Sequence, residues 1–286
     1  MSGLKQRLFL GIAKVVHMEA RAEGFVERWR VARARRHMWM SLAGINSGIL
    51  WQTLREWPKF KSDAARFRQL SGEDEAFVIT RKNFLPILGE NHQAAGSGAG
   101  HYFHQDLWAA RKIHERAPTE HFDVGSRIDG FVAHVLTFMP VTVIDIRPMS
   151  EPIEGLRFIQ DDATDLSTIA DGSLGSVSSL HAVEHFGLGR YGDEVDPTAA
   201  VRAMAALARV LRSGGRLYFS VPIGRERLMF NAHRIFSPDT VLRAFSDLQL
   251  MSFAAVDDSG HLVSEACPDD FLAANYSCGL FEFTKV

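Results

Sequence analysis

Three aspartates stand at intervals suited to holding a nucleoside. Asp123 opens the segment Asp123-Val-Gly-Ser-Arg-Ile-Asp-Gly130, Asp145 follows 22 residues later in Val143-Ile-Asp-Ile-Arg147, and Asp162 lies in Phe158-Ile-Gln-Asp-Asp-Ala-Thr-Asp165. The first segment reads as a strand-to-helix turn, with Gly125 where a ligand approaches the backbone and helix amides directed at it. At the end of the next strand, Asp145 can accept two hydrogen bonds from a ribose diol. After the strand that follows, Asp162 can accept from an adenine amino group while the amide of Ala163 reads the ring nitrogen.

Lining these carboxylates along one edge requires parallel strands, and the pattern from residue 120 onward supplies them. Short apolar runs at 121–125, 141–147, 156–160, 176–182, 216–222, 248–256 and 279–284 alternate with helical segments, which argues for an α/β sheet. Asp196-Pro197 offers an N-cap and a first-turn proline for a helix over 197–212, which Ser213-Gly214-Gly215 stops. Ser237-Pro238-Asp239 starts another that ends near residue 247.

In this order and at this spacing the features resemble the class I S-adenosylmethionine-dependent methyltransferases, over roughly residues 120–286. The resemblance implies a Rossmann-like, doubly wound sheet of seven strands, the last antiparallel, with S-adenosyl-L-methionine as cofactor. It places Asp123, Gly125, Arg127, Gly130, Asp145, Asp162 and Ala163 around that cofactor. Arg127 and Asp129 stand where the family's turn has glycine. Beside the methionine end, Arg127 either pairs with the cofactor's carboxylate or fills the site. Four longer segments, His101-Tyr-Phe-His-Gln-Asp-Leu-Trp108, the Asp123 turn, Glu184-His-Phe-Gly-Leu-Gly-Arg-Tyr-Gly-Asp193 and Pro222-Ile-Gly-Arg-Glu-Arg-Leu-Met-Phe-Asn-Ala-His-Arg-Ile-Phe236, resemble something narrower. They are similar to a methyltransferase-like domain family of unknown function, first catalogued from nematode proteins and found also in bacteria, sometimes beside surface-polysaccharide genes.

Methyl transfer from a sulfonium is an in-line displacement, so positioning the acceptor does much of the work. A hydroxyl acceptor must also lose its proton, a task suited to an imidazole. His185 is the first candidate base and His233 the second, since both follow strands that end at the ligand edge; the alternative for each is a histidine that only hydrogen-bonds a loop. Glu184, Arg190, Tyr191 and Asp193 form a grip for a polyhydroxylated or charged acceptor. Arg225, Arg227, Asn231 and Arg234 form a second polar set, the alternative being ion pairs of Arg225 or Arg227 with Asp193 or Glu194 that only shape the loops. His101, Tyr102 and His104 read as a lid. His181-Ala-Val-Glu-His185 matches the H-x-x-E-H pattern of inverted zinc proteases, but at a strand end i and i+4 share no helical face, and no metal site is read. The expected reaction is O-methylation of a small-molecule or glycan acceptor, such as a sugar intermediate. A silent methyltransferase fold, acting as a binding or scaffold protein, is the other reading.

Composition frames these residues. The chain has 286 residues and a formal charge of −2, which indicates no nucleic-acid partner, yet the first 70 hold 14 Lys+Arg against 5 Asp+Glu and the remainder 18 against 29. Residues 4–70 read as three helices, with Arg28, Arg30, Arg33, Arg35 and Arg36 clustered. That cluster is either a solvated face or a peripheral membrane contact. The Ala94-Ala-Gly-Ser-Gly-Ala-Gly100 stretch is a linker or a lid, and the expected division is a helical, basic region over 1–95 and the α/β domain over 96–286. Cys267 and Cys278 show neither disulfide nor zinc spacing, and no signal or membrane-spanning segment is read, so a cytoplasmic protein is expected. The oligomeric state is not encoded in these patterns.

Overall fold

The computed structural model describes residues 47–70, 79–80, 84–88, 96 and 98–286. The chain divides into two compact units, Met1–Gly96 and Ser97–Val286. In the first, helix α1 (Ser47–Leu70) continues through Pro58. The expected helices before it, and the arginine cluster with its membrane contact, fall in residues 1–46, outside the described residues. No helix among the described residues is long and apolar enough to cross a membrane.

The second unit opens with α2 (His101–Arg116) and β1 (His121–Val124), followed by a π-helical turn (Ile128–Val132) that continues as α3 (Ala133–Leu136). Next come β2 (Val141–Asp145), β3 (Leu156–Gln160) and β4 (Leu174–Leu180), then a 3-10 turn (Val183–His185), α4 (Ala199–Val210) and β5 (Leu211–Ile223). A small hairpin, β6 (Arg227–Met229) with β7 (His233–Ile235), precedes α5 (Pro238–Ala244), β8 (Gln249–Val256), β9 (Leu262–Val263) and β10 (Ser277–Thr284).

All seven expected strands are present, in the order β3-β2-β1-β4-β5-β10-β8-β9. The last, β10, is antiparallel to both β5 and β8. The expected count of seven needs one correction: β9 pairs with β8 and makes the sheet eight-stranded. Its two residues are too short to carry a periodic signal.

Alternation along the strands assigns the two faces. Leu217 and Phe219 of β5 join Met204 and Leu207 of α4, Val241 of α5 and Phe245 just after it in one core cluster. Tyr218, between them, packs with Ala109 and Ile113 of α2 and with Phe131 and Val132 of the π turn in another. Cys278 and Leu280 of β10 also face the α2 side, against Trp108. The residues that end β1, β2, β3 and β4 therefore share one edge of the sheet, and β10, running the other way, begins there.

Candidate active site

A cavity of about 570 Å³ opens at that edge, a size suited to a cofactor-scale ligand. Gly125, Arg127, Asp145, Asp162, Ala163, His185, Tyr191 and Asp193 line it, together with Tyr102 of the expected lid and with Arg147, Phe158 and His181, which were not among the binding residues expected.

Gly125 has a φ of +73°, and a Cβ there would stand 3.1 Å from the Ala182 Cβ, so the turn requires glycine. Asp123 holds this turn from beneath and is fully buried. Its Oδ1 accepts from the Ser126 hydroxyl at 2.6 Å and the Ser178 hydroxyl at 2.5 Å, and its Oδ2 from the Ser126 amide at 3.0 Å. Ser178 in turn meets His121 Nε2 at 2.9 Å, and His121 Nδ1 meets the Ser176 hydroxyl at 2.8 Å. Burial drives the His121 pKa down to about 3, so the ring is neutral, and drives Asp123 up to about 6 against its hydrogen bonds. Asp123 is thus a positioning residue rather than a cofactor ligand. Gly130 also departs from its expected role: a Cβ on it would lie 2.7 Å from Asp106 Oδ2, so it lets the π turn close onto α2.

Asp145 reaches the cavity already engaged. Its Oδ1 accepts from the Arg147 amide at 2.9 Å and Nε at 3.0 Å, and its Oδ2 accepts from Arg147 Nη2 at 2.6 Å. A carboxylate has about four lone-pair sites, which leaves one for a ribose hydroxyl. The Arg147 guanidinium lies 4.7 Å from the centre of the Tyr191 ring and so bridges the two loops across the mouth. Arg127 does not fill the cavity. It pairs with Asp129, Nη2 to Oδ2 at 2.9 Å, and lies over Tyr102 at 5.3 Å. The neighbouring Asp161 is the structural carboxylate of the β3 loop, bonding the Thr168 amide and hydroxyl, while Asp162 stays exposed with the Thr164 amide on Oδ1.

His185 is fixed by a 2.6 Å contact between Nδ1 and the carbonyl of Ala232. A carbonyl only accepts, so Nδ1 carries the proton and Nε2 of the neutral ring is the free base. Burial lowers its pKa, with Glu184 opposing that shift, and the ring is neutral at pH 7. Nε2 lies 3.6 Å from Glu184 Oε1. Glu184 itself does not reach an acceptor: it is fully buried and bonds His181 Nδ1 at 2.6 Å. Against the cost of burial, the two hold each other charged, His181 raised and Glu184 lowered.

The second polar set lies elsewhere. His233 is outside the cavity lining, its ring 6.4 Å from that of His185. Arg190 donates to the Ala232 carbonyl at 3.0 Å, and Asn231 to the Leu188 carbonyl at 3.4 Å. Arg234 donates to the Phe186 carbonyl at 2.6 Å, and Arg227 to Asn275. Arg225 is exposed on the approach to the small hairpin. These residues build loops rather than grip a ligand in the main cavity, and none of Arg225 and Arg227 pairs with Asp193 or Glu194. Asp193, despite lining the cavity, is spent on the amides of Gly187, Gly189 and Tyr191, which hold its pKa low against burial. Of the expected lid, Tyr102 lines the cavity, while His101 turns to His181 and Tyr276.

The sheet order, with β10 antiparallel between β5 and β8 and a glycine turn and two carboxylates on one edge, defines a Rossmann-like, doubly wound fold. Residues 162–256 match the family model described as Caenorhabditis protein of unknown function, DUF268. No curated protein sequence matches the chain. Among solved structures, the chain is similar to a 1,6-didemethyltoxoflavin-N1-methyltransferase of Burkholderia thailandensis, bound to S-adenosylhomocysteine, at 18% identity over 64% of this chain and 79% of that one, with a TM-score of 0.44. It is also similar to the N-methyltransferase NodS of Bradyrhizobium japonicum, at 13% identity over 65% and 88% of the two chains, TM-score 0.45. A TehB-like methyltransferase of Corynebacterium glutamicum gives 15% identity over 80% and 99%, TM-score 0.42.

Proposed function

We propose that the protein is an S-adenosylmethionine-dependent methyltransferase that O-methylates a hydroxyl of a sugar or glycan intermediate. The observation that carries this reading is His185, an imidazole held with Nδ1 protonated and Nε2 unprotonated in the cavity that also contains Gly125, Asp145 and Asp162. A neutral amine attacks without first losing a proton, whereas a hydroxyl is a weak nucleophile until a base takes its proton. The residues also fit the cofactor: the glycine turn leaves room at the backbone, Asp145 keeps one lone pair for the ribose, and Ile144, Phe158 and Ala163 give the adenine an apolar bed.

When bound, the cofactor supplies a methyl carbon on a sulfonium; the S–CH3 bond breaks as the O–CH3 bond forms. His185 takes the hydroxyl proton at Nε2. The Ala232 carbonyl keeps the ring oriented, and the Glu184 carboxylate 3.6 Å away stabilises the imidazolium that results. Tyr191 packs edge-on against the same ring, 5.6 Å between centroids. Arg147 and Tyr102 complete a polar mouth suited to a polyhydroxylated acceptor.

The test is transfer from labelled S-adenosylmethionine to a panel of free and nucleotide-linked sugars. His185→Gln should lower the rate by about 10²–10⁴-fold and leave S-adenosylhomocysteine affinity within about twofold. In the wild type the acid limb of the rate profile should have its midpoint below the ordinary histidine value, because burial lowers the His185 pKa. Unchanged turnover in His185→Gln removes it as the base.

A further inference from the structure

Beside the cavity, at the same edge of the sheet, three side chains from distant parts of the chain converge. His101 is the first residue of α2, His181 follows β4, and Cys278 lies near the start of β10. His101 Nδ1, His181 Nε2 and Cys278 Sγ all lie within 4.8 Å of one another. Cys278 is fully buried, and His181 nearly so. We propose that these three side chains form a divalent zinc site, with a fourth position left for a water or a substrate atom.

The hydrogen bonds on the far sides of the rings carry the argument. His101 Nε2 lies 3.2 Å from the Tyr276 carbonyl and therefore donates to it. His181 Nδ1 lies 2.6 Å from Glu184 Oε1 and donates to that carboxylate. Each ring spends one N–H outward, which leaves His101 Nδ1 and His181 Nε2 facing each other at 3.1 Å. A cation lies between these two nitrogens, either the proton of the charged His181 ring or a metal ion that takes its place. Outward N–H bonds to a carboxylate and a backbone carbonyl are the arrangement that orients metal-ligating histidines.

Cys278 decides between the two cations. A shared proton makes no use of a thiol, whereas a thiolate is a strong zinc ligand. Beyond the two histidine rings, its polar neighbours are long, Gln105 Oε1 at 4.0 Å and the Gly279 carbonyl at 3.8 Å. Charge closes as well: one carboxylate at Glu184 and one thiolate balance a doubly charged ion in a buried setting. Zinc bonds of about 2.0–2.1 Å to nitrogen and 2.3 Å to sulfur put tetrahedral ligand atoms roughly 3.3–3.6 Å apart. The two nitrogens, at 3.1 Å, lie about 0.2 Å inside that spacing, and all three ligand atoms lie within 4.8 Å of one another. Three protein ligands rather than four leave the site open, and His181 also lines the main cavity. The proposal stands independently of methyl transfer.

Zinc and cobalt binding by the full chain tests it. The reduced, chelator-treated protein should take up one equivalent of Zn²⁺, and the Co²⁺ form should show a thiolate-to-metal charge-transfer band. Cys278→Ser should lose that band while Cys267→Ser, at the exposed cysteine, keeps it. His101→Ala should weaken zinc binding by more than about 100-fold, beyond the usual cost of a lost outer-shell partner. A wild type that binds no zinc, or lacks the cobalt band, overturns the proposal whether or not the variants fold. So does one-equivalent binding that survives both Cys278→Ser and His101→Ala.

Discussion

Asp123 sits at the end of β1 with three donors on its two oxygens, yet burial lifts its pKa from 3.8 to about 6. The folded state therefore holds this proton more tightly than the unfolded chain does. Its contribution is favourable below pH 3.8 and is lost as pH rises through about 6, with a total swing of about 3 kcal/mol at 1.36 kcal/mol per unit. Asp123→Asn should flatten the pH dependence of the urea midpoint between pH 4 and 6; an unaltered slope there would place the titration elsewhere. The places of Asp123, Asp145 and Asp162 at one edge were legible in the sequence because each follows a short apolar run, and runs that pair in parallel end on the same side. What each carboxylate bonds was not. Arg147, two residues beyond Asp145, takes three of its lone pairs, and the serines that occupy Asp123 come from its own turn and from β4, 55 residues away.

Elements place these residues through close backbone approach. Gly187, after the 3-10 turn, has a φ of +72°, and a Cβ on it would lie 2.0 Å from the Asp196 carbonyl at the entry to α4. Gly187→Ala should cost more than the roughly 1–2 kcal/mol of the left-handed conformation alone, because backbone blocks relaxation. A thermal melt reads this; a change under about 1 kcal/mol would mean that the loop has a second arrangement. The seven large strands were legible from short apolar runs, and the start of α5 from Ser237 and Pro238. The helix expected over 197–212 is corrected: α4 starts at Ala199, after Thr198, and stops at Val210, and Ser213-Gly214-Gly215 lies within β5 rather than ending the helix. The β6–β7 hairpin was not legible, since three-residue strands in an arginine-rich segment show no period. Nor was the π-helical start after β1, which depends on Gly130 meeting Asp106 of α2. The convergence of His101, His181 and Cys278 is a product of topology alone: antiparallel β10 begins where parallel β4 ends.

For the whole molecule, a near-neutral total conceals a basic first quarter and an acidic remainder. The site is built entirely within Ser97–Val286, by residues of that acidic part. Its mouth nonetheless carries Arg127 and Arg147, each with its own carboxylate partner at Asp129 and Asp145. Local pairing of this kind neutralises the edge and leaves ligand binding to hydrogen bonds and apolar contact rather than to net charge. The central claim is that this edge holds S-adenosylmethionine, and calorimetry with S-adenosylhomocysteine tests it most directly. The wild type should bind one equivalent, and Asp145→Ala should weaken binding by at least about tenfold, a loss of about 1.4 kcal/mol. No binding by the intact protein, or equal binding by Asp145→Ala, would contradict the account.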